Sequence, residues 1–268
     1  MLRLGHVTRR LSTTYRIFHK EGASGLTAFL RWRLDYEMRL HAIRKVKSVT
    51  LDGCTVNMQG VPDSETKIDL AREDYEVAER HLVPKYLDRT LPVIELGGCI
   101  GVIACITNRL LVSPDLHVVV EANPLAIPLL TETRDSNQCK FQILNQALAY
   151  DAPSVTFRPT LNLLANSVQR KTGEEPVTVP ATALRDIVKE RKFDSFNLIC
   201  DIEGSEWDLV MNEGDVLQKA STISLETHAR FIGEDRNAQL LSKLGELGFQ
   251  IVDQEATVVV LKQSQVSN

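Results

Sequence analysis

Between Pro92 and Pro124 the chain reads P-V-I-E-L-G-G-C-I-G-V-I-A-C-I-T-N-R-L-L and, after a short gap, H-V-V-V-E-A-N-P. An apolar run ends in Glu95, and a glycine turn follows at Gly97, Gly98 and Gly101. An apolar, helix-length segment from Ile100 to Val112 then leads to a second apolar run, His117 to Val120, which ends in Glu121. Short continuous apolar runs suit strands buried on both faces of a parallel sheet, and the segment between them suits the crossover helix. Glycines at such a turn let backbone approach a ligand, at the place where open α/β sheets bind ligands.

The two acids narrow the ligand. At the tip of the second strand, Glu121 is placed for a carboxylate to accept hydrogen bonds from both ribose hydroxyls of a nucleoside. A pyrophosphate-binding turn favours G-x-G-x-x-G, with helix N–H groups aimed at phosphate. This chain has G-G-x-x-G, with Glu95 two residues ahead of it. A carboxylate there would repel a pyrophosphate and could receive the ammonium group of an amino-acid tail. A nucleoside carrying an amino acid in place of phosphates describes S-adenosylmethionine. Nicotinamide binding and a purely structural βαβ turn are the alternatives.

The 268 residues, 43% hydrophobic and 25% charged, fit one large α/β domain with a small extra element. The formal charge of −4 conceals an asymmetry. Residues 1–48 carry 11 basic and 3 acidic side chains; the remaining residues carry 20 basic and 32 acidic. The expected division is a basic helical arm, 1–47, and an acidic body, 48–268. An acidic body argues against nucleic acid as its partner. Five scattered cysteines without a C-x-x-C pair read as small core residues of a reducing compartment. No apolar run approaches the roughly 18 residues that span a bilayer. The default expectation is cytoplasmic, with an Arg-rich transit segment as a lesser alternative.

In the arm, Leu2, Leu4, Val7 and Leu11 recur at near-helical spacing, and Leu26 to Val46 resumes the pattern after Gly22 and Gly25. Such a helix either lies on an anionic membrane or docks a protein, or it packs on the domain with its Arg heads in water. Ser48 to Met58, with Asp52-Gly53 at its centre, reads as a hairpin. Tyr75 to Leu87 reads as a helix carrying Glu76 and Glu79, Pro124 to Arg134 as another, and Phe141 to Leu144 as a third strand. Its end, Asn145-Gln146-Ala147, would face an adenine edge. Residues 152–180 interrupt the alternation, with strands at Val155–Phe157 and Pro176–Val179 around a polar segment from Asn162 to Glu175. Thr182 is the expected N-cap of a helix from Ala183 to Lys189.

The next strand, Phe196 to Cys200, ends in Asp201-Ile-Glu203-Gly204-Ser205-Glu206 and opens a helix from Trp207 to Val216. Three acids in six residues exceed what capping requires, although Glu206 complements the helix dipole. A further strand, Ile223 to Leu225, ends in Glu226-Thr-His228. Alternation along a strand lets Glu226 and His228 share one cleft with Asp201 and Glu203. A helix from Ala238 to Leu247 and two strands, Phe249–Val252 and Thr257–Leu261, close the chain, the last pair forming an antiparallel edge.

Taken together, E-L-G-G-C-I-G from Glu95, E-A-N-P from Glu121, N-Q-A-L from Asn145, D-I-E-G-S-E from Asp201 and E-T-H from Glu226 resemble, in order, the motifs of the FkbM family of S-adenosylmethionine-dependent methyltransferases. Tyr75-Glu76 is similar as well, and the likeness runs from Ser48 to Leu261. It implies a Rossmann-like class I methyltransferase fold: a seven-stranded, mostly parallel sheet with an antiparallel C-terminal edge strand. It implies methyl transfer to a hydroxyl of a sugar, polyketide or similar small-molecule or saccharide acceptor. Carried over by position, Glu95, Gly97, Gly98 and Gly101 hold the methionine end, Glu121 holds the ribose, and Asn145 and Ala147 lie near the adenine; Asn123, in the E-A-N-P motif, counts with the cofactor-binding residues. Asp201, Glu203, Glu226 and His228 line the acceptor side. The family prefers Asp at Glu95 and Ala-Asn at Gly98-Cys99; both departures keep charge or small size. Residues 1–47 inherit nothing from the likeness.

An alcohol is a poor nucleophile at neutral pH, and His228, with an ordinary pKa near 6.5, is the best-placed general base. Asp201 would orient it or bind the hydroxyl. Alternatively Asp201, Glu226 and His228 hold a divalent cation, Mg²⁺ being the expected one. Three classes of function therefore stand: an O-methyltransferase, a dinucleotide-dependent oxidoreductase, and a non-catalytic cofactor-binding protein of the same fold. The missing G-x-G-x-x-G weighs against the second, and four ionisable groups in one cleft weigh against the third.

Overall fold

The computed structural model describes residues 24–159 and 175–264, apart from residues 26 and 32. It divides the chain into two units, Met1–Val46 and Lys47–Asn268. In the first, helix α1 takes in 24–25, 27–31 and 33–43, and the expected pattern from Leu2 to Leu11 lies outside the described residues.

The second unit opens with the expected hairpin, β1 (Ser48–Leu51) and β2 (Cys54–Asn57), turning at Asp52 and Gly53, both with positive φ. Helix α2 (Ser64–Arg72) went unread in the sequence; the side chain of Asp63 caps it by accepting from the Thr66 N–H at 2.8 Å. Helix α3 (Val77–Tyr86) follows. Then come β3 (Val93–Leu96), α4 (Val102–Leu110), β4 (His117–Val120), α5 (Ile127–Ser136) and β5 (Gln142–Leu144). The short strands β6 (Ala147–Leu148), β7 (Ser154–Phe157) and β8 (Val177–Thr182) form a separate three-stranded sheet. Most of the polar segment from Asn162 to Glu175 lies outside the described residues. Helix α6 (Leu184–Arg191) is not capped by Thr182: β8 runs through Thr182, whose hydroxyl lies 3.5 Å from the Ala183 carbonyl.

Strand β9 (Phe196–Cys200) leads into α7 (Glu206–Asn212) and α8 (Gly214–Leu217), where one helix was expected. The break falls at Glu213, whose buried carboxylate accepts from Arg185 Nε at 3.1 Å. Strand β10 (Ala220–Glu226), helices α9 (Ala229–Ile232) and α10 (Glu234–Glu246), and strands β11 (Phe249–Glu255) and β12 (Val258–Gln263) complete the unit.

Seven strands form the central sheet in the order β11-β12-β10-β9-β3-β4-β5. Six run the same way; β12 alone is reversed, antiparallel to both β10 and β11, which puts the C-terminal strand one place in from the edge and β11 outside it. This is a Rossmann-like α/β fold of the class I methyltransferase topology. Period-2 alternation divides each buried strand between two cores. Ile94, Leu96, Leu198, Cys200, Ile223 and Leu225 meet Leu184, Leu209, Leu240 and Leu244 on one face. Val93 and Ile199 meet Val83 and Ile103 on the other. Each fully buried aliphatic side chain contributes roughly 1.5–3 kcal/mol. No helix among the described residues is long and apolar enough to cross a membrane.

The strand order reverses between β3 and β9, and the two turns at their C-terminal ends touch. Gly97 has φ +94°, and a Cβ built on it would stand 1.7 Å from the carbonyl oxygen of Asp201. Only glycine fits there. Gly97→Ala should therefore lose on the order of 3 kcal/mol in urea-unfolding stability, whereas Ala at Gly245, where a Cβ meets nothing within 4 Å, should change it little.

Candidate active site

At this switch point a cleft is lined by Leu96, Gly97 and Cys99 from the first turn, by Val120 to Asn123 from the second, and by Asp201, Ile202, Glu203 and Ser205 from the third. Gln146, Leu148 and Phe157 close it from the small sheet. Its walls are largely apolar, its polar groups include three acids, and among the described residues no Lys or Arg lines it.

The turn after β3 is organised by hydrogen bonds that consume its own donors. The N–H groups of Gly97 and Gly98 donate to the Val120 carbonyl, at 2.9 and 3.2 Å, and that of Gly101 to the Gly98 carbonyl at 2.8 Å. The Cys99 N–H donates to Glu121 Oε2 at 2.8 Å, and the Asn123 N–H to Glu121 Oε1 at 2.6 Å. Glu121 is thus pinned at the cleft wall by backbone N–H groups. Burial raises its pKa while the N–H donors of Asn123, Cys99 and Gly98 oppose the rise. Cys99 sits at φ 42°, in the left-handed region that a residue other than glycine, Asn or Asp seldom adopts.

The expected cofactor residues fall in three groups. Gly97, Glu121 and Asn123 line the cleft. Gly98 and Gly101 shape the turn behind it, against Val119 and Leu130. Asn145 holds the tip of β4, donating from Nδ2 to the Glu121 carbonyl at 2.8 Å, and Ala147 is buried against Phe157 and Val179. Gln146, between them, reaches the cleft.

Glu95 does not reach it. Alternation along β3 points its side chain to the same face as Val93, where it is buried, with Oε2 3.3 Å from Nε2 of the equally buried His117. Burial alone pushes the Glu95 carboxyl well up and lowers the imidazole to about 3. Buried beside His117 and outside the cleft lining, Glu95 is not placed to receive an ammonium group there.

The four residues expected on the acceptor side converge. Glu206, fully buried, anchors them. Its carboxylate accepts from the N–H groups of Ile202 (3.0 Å) and Gly204 (2.8 Å), and from His228 Nδ1 at 2.8 Å. Nδ1 therefore carries the proton, and Nε2 of the buried imidazole faces Asp201 Oδ1 at 3.5 Å, Glu203 Oε2 at 3.6 Å and Glu226 Oε2 at 3.7 Å. Arg230 Nη2 lies 3.1 Å from Glu203 Oε2 on the outer side, and Thr257 donates to Glu226 Oε1 at 2.9 Å. Burial works against a charge on His228, but the Glu206 carboxylate, then Glu226 and Glu203, hold its pKa above the ordinary value. Burial, followed by the charges of Glu226 and Glu203, pushes Asp201 well up.

Helix α3 adds two acids to this cluster that the sequence reading noted without assigning a role. Glu76, at φ 46°, is raised well above the usual carboxylate range by burial and then by Glu79. Glu79 is raised to about 7 by burial and then by the charge of Glu226.

No protein family matches the chain by sequence, and no curated protein does. Solved structures give distant likenesses. A protein of the NADB-Rossmann superfamily from Streptococcus agalactiae is 13% identical over 69% of this chain and 68% of its own, with a TM-score of 0.43. A magnesium protoporphyrin IX methyltransferase from Synechocystis with bound SAM is 10% identical over 74% of this chain and 82% of its own, also at 0.43. Likenesses this distant add nothing to the strand order and register described above.

The raised Glu79 carboxyl makes stability pH-dependent. The folded state keeps a proton that the unfolded chain, with an ordinary value near 4.5, releases, so stability falls as pH rises from about 4.5 to about 7. Glu79→Gln should raise the Tm at pH 8, and the gain should shrink toward zero as the melts are repeated down to pH 5.

Proposed function

We propose that the cleft binds S-adenosylmethionine and that the protein is an O-methyltransferase of the FkbM kind, acting on a hydroxyl of a sugar, glycan or secondary metabolite. The observation that carries this reading is the fate of the turn's donors. Dinucleotide sites aim free N–H groups at pyrophosphate. Here the N–H groups of Gly97, Gly98, Cys99 and Gly101 are all engaged within the protein, one of them by the carboxylate of Glu121. Among the described residues that line the cleft the charged ones are Glu121, Asp201 and Glu203, all acids, which oppose a phosphate. A nucleoside bearing a positive sulfonium meets the opposite situation.

The residues present fit that cofactor. Glu121 offers its carboxylate to ribose hydroxyls, Leu148 and Phe157 offer apolar walls to an adenine, and Gln146 offers an amide for the adenine edge. The turn from Gly97 to Cys99 bounds the methionine end. When bound, S-adenosylmethionine supplies a methyl group on a sulfonium leaving group, open to in-line displacement. The protein's share is then alignment and deprotonation of the acceptor. Asp201 and Glu203 line the cleft and also face His228, so they join the cofactor half to the acceptor half. The acceptor hydroxyl gives up its proton within the group of Asp201, Glu203, Glu226 and His228, and Glu206 fixes the imidazole that faces it. The basic arm takes no part in this reading.

Calorimetry separates the readings. S-adenosylhomocysteine should bind and NAD should not. Glu121→Ala should weaken S-adenosylhomocysteine by about 10- to 100-fold, the value of one or two hydrogen bonds to a charged group. NAD binding more tightly than S-adenosylhomocysteine would contradict the proposal.

A further inference from the structure

We infer that Asp201, Glu203 and His228 form a binding site for a divalent first-row transition ion such as Mn²⁺ or Zn²⁺, with Glu226 at its border. One ligand atom from each of the three residues lies within 4.8 Å of the others. The independent observation is His228 itself. It is 3% exposed, and its Nε2 has no hydrogen-bond partner although three carboxylates stand around it at 3.5, 3.6 and 3.7 Å. An imidazole donating a proton would draw one acceptor to about 2.8 Å. Near-equal separations of this size are what ligands of one shared ion show, since bonds of about 2.1–2.3 Å leave neighbouring donors about 3.0–3.7 Å apart.

The surroundings agree. Glu206 pairs with Nδ1 at 2.8 Å, which orients the ring and aims Nε2 toward the three acids. That is the outer-shell arrangement by which carboxylates fix metal-ligating histidines. An imidazole among the donors favours a transition ion over Mg²⁺, which prefers oxygen and retains water. Asp201 Oδ1, which is likewise buried without a partner, aims at the same point. One positive group competes for it: Arg230, half outside, 3.1 Å from Glu203 Oε2. The rival arrangement is an imidazolium serving as countercharge to the acids, with no metal. Metal binding does not depend on the methyl-transfer reading; if that reading holds, the ion would acidify the acceptor hydroxyl at the proton-accepting group.

The test is titration of MnCl₂ into full-length protein stripped with EDTA, followed by electron paramagnetic resonance, with ZnCl₂ and MgCl₂ in parallel. One Mn²⁺ should bind per chain, more tightly than Mg²⁺. Glu203→Gln and His228→Gln should each weaken it at least tenfold, while Arg230→Ala should tighten it. Circular dichroism and thermal melts report folding of each variant; Glu203→Gln, nearer the surface, carries the test if His228→Gln does not fold. Absence of saturable Mn²⁺ and Zn²⁺ binding in protein that still binds S-adenosylhomocysteine would overturn the inference and leave the proposed methyl transfer standing. Binding unaltered by these substitutions would overturn it too.

Discussion

The structure depends on a backbone-to-backbone contact at the sheet's reversal point. Gly97, at the end of β3, lies so close to the Asp201 carbonyl, at the end of β9, that no side chain fits between them. That contact brings two chemically different turns together. On one side the glycine turn and Glu121 form a wall whose donors are spent internally; on the other a compact loop presents acids around an imidazole. Asp201 and Glu203 belong to both halves, so whatever fills the cleft lies against the acid cluster.

Both halves are held rigid by buried carboxylates accepting backbone N–H bonds. Glu121 ties the tip of β4 to the glycine turn, and Glu206 ties the loop after β9 to His228. A buried carboxylate is costly unless its oxygens are satisfied. Here the satisfaction comes from groups that must keep fixed positions for a ligand to be recognised, which converts electrostatic cost into preorganisation. The left-handed backbone at Cys99 and Glu203 marks the same two turns as locally strained.

Much of this was legible in the sequence because the strands are buried on both faces, and such runs read clearly without tertiary information. The order from β3 through β4, and the acids at the ends of β9 and β10, follow from apolar runs stopping at charged residues. Other features depend on partners far along the chain. Glu206 read as a dipole-complementing residue because its partner, His228, lies 22 residues away. Glu95 read as a cleft residue although alternation along β3, with Leu96 at the cleft, assigns it to the opposite face beside His117. Thr182 read as a cap because its place inside β8 is set by pairing with β6, itself only two residues long. Helix α2 carries few apolar positions, so its Asp63 cap was the available signal and passed unread.

The most direct measurement is a crystal structure of the full chain with S-adenosylhomocysteine. Both ribose hydroxyls should lie on the Glu121 carboxylate, the base between Phe157 and the end of β4, and the sulfur should point toward Asp201. A nucleoside bound away from Glu121, or a glycine turn rearranged to present its N–H groups to an anion, would contradict it.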